Sequence, residues 1–322
     1  MSDMVQKKDY SGKSIIITGG ANGIGKGLAT ALCQRGAKVI IADILSDDAK
    51  ATAEELKSKG FEALPYQIDV SKEADWAGLR DFALDKFGKV DYLFNNAGIM
   101  YSKPYDNFVD ADWEMYFRVN VMGPVFGCNT FYPVMQKQGG GHICTTVSQA
   151  ALGPLDGELI GAPYAPLKSA TLTFVEQFAV MMAQRKTGVT CSAILPSIVK
   201  TEISSRMANP AARPEEFRDN PDIINMSPEL LKKIAAIVDQ LANPKTDEDK
   251  QTAFAMGVIT VDEAVKTILD GLDRDYFYIY THPGRTAAII RQESELRLAG
   301  YKQPLPQSAA TLEYVRMTKT NV

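Results

Sequence analysis

The sequence predicts an α/β fold in which a doubly wound parallel sheet is flanked by helices on both faces. Two observations carry this prediction: apolar strands alternate with amphipathic helices from residue 13 to about 200, and a glycine-rich turn follows the first strand. Such alternation is typical of parallel sheets. The apolar run Ile15-Ile16-Ile17 indicates a central strand buried on both sides. We expect one domain that spans residues 1–322.

The predicted elements follow one another at regular spacing. The predicted strands run from Ser14 to Thr18, Lys38 to Ala42, Glu62 to Asp69, Tyr92 to Asn95, His142 to Thr146 and Thr190 to Leu195. The predicted helices between them include Lys26 to Arg35, Ala49 to Lys59, Lys72 to Phe87 and Ser169 to Gln184.

The pattern loosens after Pro196, where residues 203–226 are rich in Pro, Asn, Arg and Asp. A helix is predicted to begin at Ser227, which suits an N-cap, and to end at Asn243-Pro244. We interpret residues 203–260 as a helical insertion that forms a lid beside the ligand site.

The chain then predicts three further elements. These are a helix from Val261 to Leu272, a strand from Tyr276 to Tyr280 and a helix from Gly284 to Leu298. We expect the last strand to extend the same sheet at its edge.

Composition narrows the class of protein. The net charge is −4 and the isoelectric point about 5.4, which gives no reason to expect nucleic acid or an anionic membrane as a partner. The chain opens without a signal-peptide core, and no apolar run reaches membrane-spanning length, so we expect a cytoplasmic protein. Four scattered cysteines and two histidines predict free thiols and no metal site.

The turn after the first strand has the sequence Thr18-Gly19-Gly20-Ala21-Asn22-Gly23-Ile24-Gly25. Glycines let the backbone turn sharply and approach a pyrophosphate, while the free N–H groups of the following helix face its negative charge. The alternative is an ordinary turn in which Gly23 and Gly25 serve packing. The predicted cofactor contacts in this turn are Gly19, Asn22, Gly23, Ile24 and Gly25.

Asp43 ends the next apolar run and favours NAD as the dinucleotide. A carboxylate at this point can accept both ribose hydroxyls of NAD, and it would repel the additional phosphate of NADP. Asn22 leaves the turn without a basic residue that could attract that phosphate.

Tyr164 and Lys168 lie one helical turn apart. Tyrosine ionises at about pH 10, and a neighbouring cation favours the phenolate, so this pair could exchange a proton with an alcohol. By itself the spacing is common in solvated helices. Pro166 between them is tolerated only in a first helical turn, which predicts that the helix begins at about Tyr164.

Two polar residues add to this pair. Ser148 follows a strand at the carboxyl edge of the sheet, where its hydroxyl could hydrogen-bond a substrate oxygen; a plain turn residue is the alternative. Asn120 interrupts a helix, and its side chain or the local kink could hold a water that relays protons to Lys168. A buried amide satisfied by the backbone is the alternative for Asn120.

Together these residues resemble the short-chain dehydrogenase/reductase family, in its branch with a single compact domain of Rossmann type. The resemblance covers roughly residues 10–202 and rests on the order and spacing of several motifs. Those motifs are TGGANGIG at 18–25, Asp43, Asp69-Val70, Asn95-Asn96-Ala97-Gly98, Asn120, Ser148, Tyr164-x-x-x-Lys168 and residues 196–201.

The resemblance implies roles for individual residues. Asn120, Ser148, Tyr164 and Lys168 would form a catalytic tetrad. The implied cofactor contacts beyond the glycine turn are Asp69 and Val70 at the adenine, Asn96, Ala97 and Gly98 near the ribose, Tyr164 and Lys168, and Val199 and Thr201 at the nicotinamide amide.

Two departures from the family pattern concern the substrate. Ser197 stands where the family usually has glycine, and the stretch between Ser148 and Tyr164 is slightly long. We interpret the longer stretch as an extended substrate loop, which leaves the tetrad intact.

The expected activity is NAD-dependent interconversion of a secondary alcohol and a ketone. Mostly apolar lid candidates suggest a hydrophobic or aromatic substrate, although ordinary packing would also explain them. The candidates are Leu155, Leu159, Ile160, Ile203, Met207, Ile223, Ile224 and Met226. The tail 276–283 resembles that of family members that act on benzylic alcohols.

Two other functions are compatible with a dinucleotide-binding fold. A catalytically silent NAD-binding sensor or scaffold is the main alternative, and the complete tetrad argues against it. A sugar-nucleotide epimerase or dehydratase would normally have a differently spaced glycine turn. As partners we expect a small alcohol or ketone and further copies of the chain in a homodimer or homotetramer, because Phe174, Phe178, Val180 and Met181 exceed what one core needs.

Overall fold

A computed structural model describes residues 7–101, 105–153, 163–203, 209–220, 223, 236 and 239–299. Its strands are β1 (Ser14–Thr18), β2 (Lys38–Asp43), β3 (Ala63–Gln67), β4 (Tyr92–Asn95), β5 (Gly141–Thr146), β6 (Val189–Leu195), β7 (Ile198–Val199), β8 (Val258–Ile259) and β9 (Tyr278–Tyr280). Seven of them form a sheet in the order β3-β2-β1-β4-β5-β6-β9, and every neighbouring pair is parallel.

Helices connect the strands and cover both faces of the sheet. They are α1 (Gly23–Gln34), α2 (Ser46–Ser58), α3 (Glu73–Phe87), α4 (Asp110–Phe117), α5 (Gly123–Lys137), α6 (Tyr164–Arg185), α7 (Asp247–Met256), α8 (Val261–Asp273) and α9 (Pro283–Ala299). A single π-helical turn, Arg118–Met122, joins α4 to α5.

Side-chain alternation along the strands divides the interior into two cores. Ile16 and Leu93 point into a core shared with α3, α5 and α6, while Ile15 and Phe94 point into a core shared with α1, α2 and α8. Both cores exclude water almost completely, since each of these four side chains is at most 1% exposed. Both faces of the sheet are therefore packed against helices, which fixes the position of the residues at its carboxyl edge.

The predicted fold class is confirmed. The strand order reverses between β1 and β4, which is the switch point at which open α/β sheets bind ligands. The last strand does extend the same sheet, although it begins at Tyr278 rather than Tyr276. The helix that carries Pro166 begins at Tyr164, as the proline requires.

The segment 203–260 contains structure that the sequence did not reveal. Strand β8 pairs in parallel with β7 in a small separate sheet, and α7 precedes it. Residues 239–242 are helical, in keeping with a helix that ends at Asn243, and its predicted start lies outside the described residues. A lid function for this segment stays a prediction.

Among the lid candidates, Ile203 lines the central cavity. Ile223 is 5% exposed and belongs to the core cluster shared with α3, α5 and α6, which agrees with the ordinary packing that the sequence also allowed for these residues. The other candidates, Leu155, Leu159, Ile160, Met207, Ile224 and Met226, lie outside the described residues.

Of the four apolar residues that the sequence analysis assigned to a subunit interface, three lie in or against the core and one lies at the surface. Phe178 belongs to the core at 6% exposure, and Phe174 and Met181 pack against it, because α6 turns this face toward the sheet. Only Val180 of the four is strongly exposed, at 50%.

None of the described helices has the length and apolar character that crossing a bilayer requires. Within the described residues no three His, Cys, Asp or Glu side chains are grouped to hold a metal ion. All four cysteines are free thiols, and Cys191 alone is only partly buried.

Candidate active site

The glycine turn after β1 has a backbone that side chains would obstruct. Gly19 and Gly23 have φ angles of +61° and +53°, in the left-handed region that favours glycine. A Cβ on Gly25 would lie 2.1 Å from the carbonyl oxygen of Gly19. Asn22 caps α1 by accepting a hydrogen bond from the Gly23 N–H, and its amide donates to Glu202 at 2.9 Å. The free N–H groups of α1 therefore face the space beyond the sheet edge.

Asn96 holds this turn against the end of β4. Its amide nitrogen donates to the carbonyl oxygens of Thr18 at 3.0 Å and Gly19 at 3.2 Å, and its amide oxygen accepts from the Thr146 hydroxyl at 3.2 Å. The Thr18 hydroxyl in turn accepts from the N–H groups of Asn96 and Ala97. The ends of β1, β4 and β5 are thus fixed relative to one another.

Asp43 is the last residue of β2 and is held rigidly. Its carboxylate accepts hydrogen bonds from the Ala21 and Leu45 N–H groups, both at 3.1 Å, and the residue is 8% exposed. The nearest base of the turn helix, Lys26, forms an ion pair with Glu55 at 2.6 Å. A fixed anion thus lies beside the turn, and the neighbouring cation is already neutralised.

Asp69 and Val70 follow β3 and are both 8% exposed. One carboxylate oxygen of Asp69, Oδ1, accepts from the N–H and the hydroxyl of Ser71 at 3.0 and 2.6 Å. The other, Oδ2, is buried without a donor among the described residues. A buried acceptor without a donor costs free energy, and the exocyclic amino group of an adenine would satisfy it. This orphaned oxygen fits the adenine end of a dinucleotide.

Ser148 and Tyr164 lie together in the wall of the cavity at the end of β5. Ser148 begins a short 3-10 turn, Gln149–Ala151, and its Oγ accepts from the Ala150 N–H at 3.1 Å. Tyr164 opens α6 and is partly exposed to the cavity. Burial raises the pKa of the Tyr164 phenol, and the nearby Ser148 hydroxyl opposes that effect. The lowering that the sequence analysis ascribes to Lys168 does not dominate here.

Lys168 is 3% exposed and lies one turn along α6 from Tyr164. Its Nζ donates to the carbonyl oxygen of Thr146 at 3.0 Å and lies 5.7 Å from the centre of the Tyr164 ring. Burial lowers the pKa of this ammonium from its usual 10.5 to about 8. A cation that can lose its proton near neutral pH therefore lies beside the phenol.

Asn120 lies in the π-helical turn and is fully buried. Its side chain is occupied, because Oδ1 accepts from the Ile99 N–H at 3.1 Å and Nδ2 donates to the Ile99 carbonyl at 3.0 Å. Its own carbonyl accepts from the Thr171 hydroxyl at 2.9 Å. Of the two options in the sequence analysis, the side chain is therefore committed to structure. A Cβ on Gly98 would lie 2.9 Å from Oδ1 of Asn120 and 3.5 Å from Nζ of Lys168, so both side chains approach Gly98.

Val199 and Thr201 close the far side of the glycine turn. Val199 belongs to β7, and the Thr201 methyl would lie 3.1 Å from a Cβ on Gly23. A cavity of about 2270 Å³ extends between these elements. It is larger than a typical drug-sized pocket, which has a volume of about 300–1,000 Å³. All the predicted site residues except Gly25 line this cavity.

Sequence reasoning missed several residues that shape the cavity. Thr18 was quoted only as the start of the glycine motif, although its hydroxyl binds the loop after β4. Gln149, next to Ser148, donates to the His282 carbonyl at 3.3 Å and to the Thr286 hydroxyl, and so connects the end of β5 to α9. Arg285 on α9 also lines the cavity, and no local signal around it indicates that position.

The fold and the cavity at its switch point define a Rossmann-type protein whose ligand site runs along the carboxyl edge of the sheet. The sequence profile of the short chain dehydrogenase family matches residues 13–211. The chain therefore belongs to the short-chain dehydrogenase family of oxidoreductases.

Relatives and solved structures agree with this placement. An uncharacterised oxidoreductase of Thermotoga maritima is 34% identical over 263 residues, which are 80% of this chain and 93% of the relative. The 7α-hydroxysteroid dehydrogenase of Escherichia coli K12 is 35% identical over 196 residues, or 60% of this chain and 75% of that enzyme. A Burkholderia phymatum short-chain dehydrogenase/reductase, solved in complex with NAD, superimposes with a TM-score of 0.78 at 27% identity, covering 94% of this chain and 99% of that one.

Proposed function

We propose that this oxidoreductase transfers a hydride between a secondary alcohol and NAD, interconverting the alcohol and its ketone. The observation that carries the proposal is that Ser148, Tyr164 and Lys168 line the same cavity, with Lys168 one helical turn from Tyr164. The residues lie where the orphaned Asp69 oxygen and the glycine turn fit a dinucleotide. Bound NAD supplies the hydride acceptor.

The chain supplies the proton chemistry. Tyr164 removes the hydroxyl proton of the alcohol as the carbonyl forms, and Ser148 donates a hydrogen bond to the same substrate oxygen. Lys168 holds the ribose hydroxyls and, as a cation, favours the phenolate form of Tyr164. Asn120 positions these groups by fixing the kink between α4 and α5 to the loop at Ile99.

Asp43 supports NAD rather than NADP. Its carboxylate is fixed by two backbone N–H groups, so it cannot turn away from an additional phosphate on the ribose. Like charges in a partly buried site repel strongly. The relative solved with NAD is in accord with this preference.

A hydrophobic or aromatic alcohol, including a benzylic one, fits the apolar part of the cavity. Ile198, Met256, Val258 and Ile289 line it beside the tetrad. Pockets of this kind gain affinity from apolar area and orientation from a few polar groups. The exposed apolar residues Phe117 and Val180, on α4 and α6, support assembly into a homodimer or homotetramer.

The test is NAD-linked absorbance with a panel of aromatic, aliphatic and steroid alcohols, comparing the wild-type chain with Tyr164→Phe. We expect the variant to lose turnover by at least 10²-fold, as for the loss of a general acid or base, and to bind NAD with unchanged affinity. Turnover retained by the variant would refute the role of Tyr164. Tight NAD binding by the wild-type chain, with no hydride transfer to any panel member, would instead favour the silent NAD-binding sensor or scaffold.

A further inference from the structure

Arg285 lies at the start of α9 with its side chain in the wall of the cavity. Its backbone N–H donates to Nδ1 of His282 at 3.2 Å, which fixes the first turn of the helix. Its guanidinium Nη1 lies 3.5 Å from the hydroxyl oxygen of Ser197, at the long limit of a hydrogen bond. Ser197 is the residue that stands where the family usually has glycine.

The charge of Arg285 is not compensated within the described residues. By contrast, Arg80 in α3 pairs with Asp81 at 2.8 Å, and Arg35, just after α1, pairs with Asp273 at 2.8 Å. None of the described carboxylates pairs with Arg285, and burial alone lowers the pKa of its guanidinium. A cation near a helix N-terminus also opposes the helix dipole. This placement is costly for the free protein, which points to an anion that arrives with a ligand.

The backbone near Arg285 leaves room for its side chain. A Cβ on Gly257 would lie 2.7 Å from Cδ of Arg285 and 2.3 Å from Oγ of Ser197. Gly257 also has a φ of +66°, so glycine is favoured there on two grounds. The arginine is therefore seated against β8 by a backbone that accommodates no other side chain at this point.

The same helix is tied to the reaction centre. Gln149 is 5% exposed, follows Ser148 directly, and donates hydrogen bonds to the His282 carbonyl and the Thr286 hydroxyl. His282 directly precedes α9 and Thr286 lies in its first turn, so the two residues flank Arg285 in sequence. Apolar side chains, Met256, Val258 and Ile289, line the cavity in the same region. A ligand placed there would meet an apolar surface that ends in one cation.

We propose that Arg285 is a specificity-determining residue that binds a carboxylate of the substrate, so that the substrate is a hydrophobic secondary alcohol or ketone with a carboxylate group at its far end. The proposal rests on the proposed function and names the substrate class of that same site. A guanidinium binds a carboxylate through two parallel N–H donors, which provides both affinity and orientation.

The experiment compares keto acids of increasing chain length, with and without a phenyl ring, with their methyl esters. The kcat/KM with NADH is measured for the wild-type chain, Arg285→Gln and Arg285→Lys, and for Arg291→Gln, an exposed arginine of the same helix, as the matched control. Thermal stabilisation by each keto acid at constant ionic strength is measured in parallel, so that carboxylate binding is followed without catalysis.

We expect the wild-type chain and Arg291→Gln to prefer at least one acid over its ester by roughly 10- to 100-fold, the worth of a hydrogen bond to a charged group. Arg285→Gln should lose that preference while keeping turnover of the esters, and Arg285→Lys should keep part of it.

A wild-type chain that reduces esters and acids equally overturns the assignment of Arg285 and leaves the proposed function standing. Stabilisation by a keto acid that depends on Arg285, without hydride transfer, overturns the proposed function and supports the carboxylate site. A weakened affinity of Arg285→Gln for NAD, with acid preference unchanged, assigns the anion to the cofactor and overturns the proposal.

Discussion

Replacing Lys168 with methionine should abolish activity and yet stabilise the cofactor-free protein. The wild-type ammonium is 3% exposed, and its pKa falls from 10.5 to about 8 on burial. That difference corresponds to about 3 kcal/mol of unfavourable free energy when the lysine is protonated. Methionine has a similar shape and no charge, but it leaves the Thr146 carbonyl without its donor, at a cost of about 1–2 kcal/mol. We expect a net gain of about 1–2 kcal/mol in the free energy of unfolding.

The sign of the pH dependence follows from proton counts. Between about pH 8 and pH 10.5 the unfolded chain holds a proton on this lysine that the folded chain has lost. The wild-type free energy of unfolding therefore rises as the pH rises through that window. The full cost of burying the ammonium is present below about pH 8, so the advantage of Lys168→Met should be greatest there and shrink toward pH 10.5.

Urea denaturation followed by circular dichroism, without cofactor, at about pH 7 and about pH 10, measures both effects. Lys57→Met, at an exposed position of α2, is the control and should change stability by no more than about 0.5 kcal/mol. If Lys168→Met is less stable than wild type near neutral pH, or if its advantage is the same at both pH values, the buried ammonium is not costly and the reasoning is wrong.

Three further outcomes follow from the structure. Asp43→Ser should raise kcat/KM for NADP relative to NAD by roughly 10- to 100-fold, and an unchanged cofactor ratio in steady-state kinetics would exclude the carboxylate as the selector. Gly25→Ala should weaken NAD binding in calorimetry and lower the melting temperature, since its Cβ would lie 2.1 Å from the Gly19 carbonyl; normal affinity and melting would contradict that clash. If the exposed apolar residues Phe117 and Val180 join subunits, the double change Phe117→Glu and Val180→Lys should reduce the mass measured by light scattering. A wild-type chain that is already monomeric would refute this interface.

The sequence predicted backbone structure correctly where residues close together in the chain determine it. The glycine turn could be predicted because a positive φ at Gly19 and Gly23 is a property of the residue type. The start of α6 at Tyr164 could be predicted from Pro166. Proline has no N–H to donate, and only residues in the first turn of a helix need no such hydrogen bond, so the helix cannot begin much earlier than Tyr164. Both inferences involve residues close in sequence.

The sequence did not reveal interactions in which one residue contacts another from a distant part of the chain. The amide of Asn120 is occupied by the Ile99 backbone, and only the folded loop places that backbone within reach. For Ile223 the sequence left a lid role and ordinary packing open, and only the folded chain shows that it belongs to the core. The pKa of Tyr164 depends on burial, which the spacing to Lys168 does not reveal. The pairing of β7 with β8 joins two strands of two residues each, too short for a periodic signal.

The order of strands in the sheet gives an independent reason to assign the anion at Arg285 to the substrate. Asp69 follows β3, Asp43 ends β2 and the glycine turn follows β1, so the groups suited to adenine, ribose and pyrophosphate succeed one another along the carboxyl edge. Arg285 contacts Ser197, which follows β6, three strands beyond β1. At about 4.8 Å between neighbouring strands, the end of β6 lies about 14 Å along the edge from the end of β1. A substrate that begins at Ser148 beside β5 lies one strand from the end of β6, which Ser197 follows. The strand order therefore favours the substrate, rather than the pyrophosphate, as the source of the anion that we propose at Arg285.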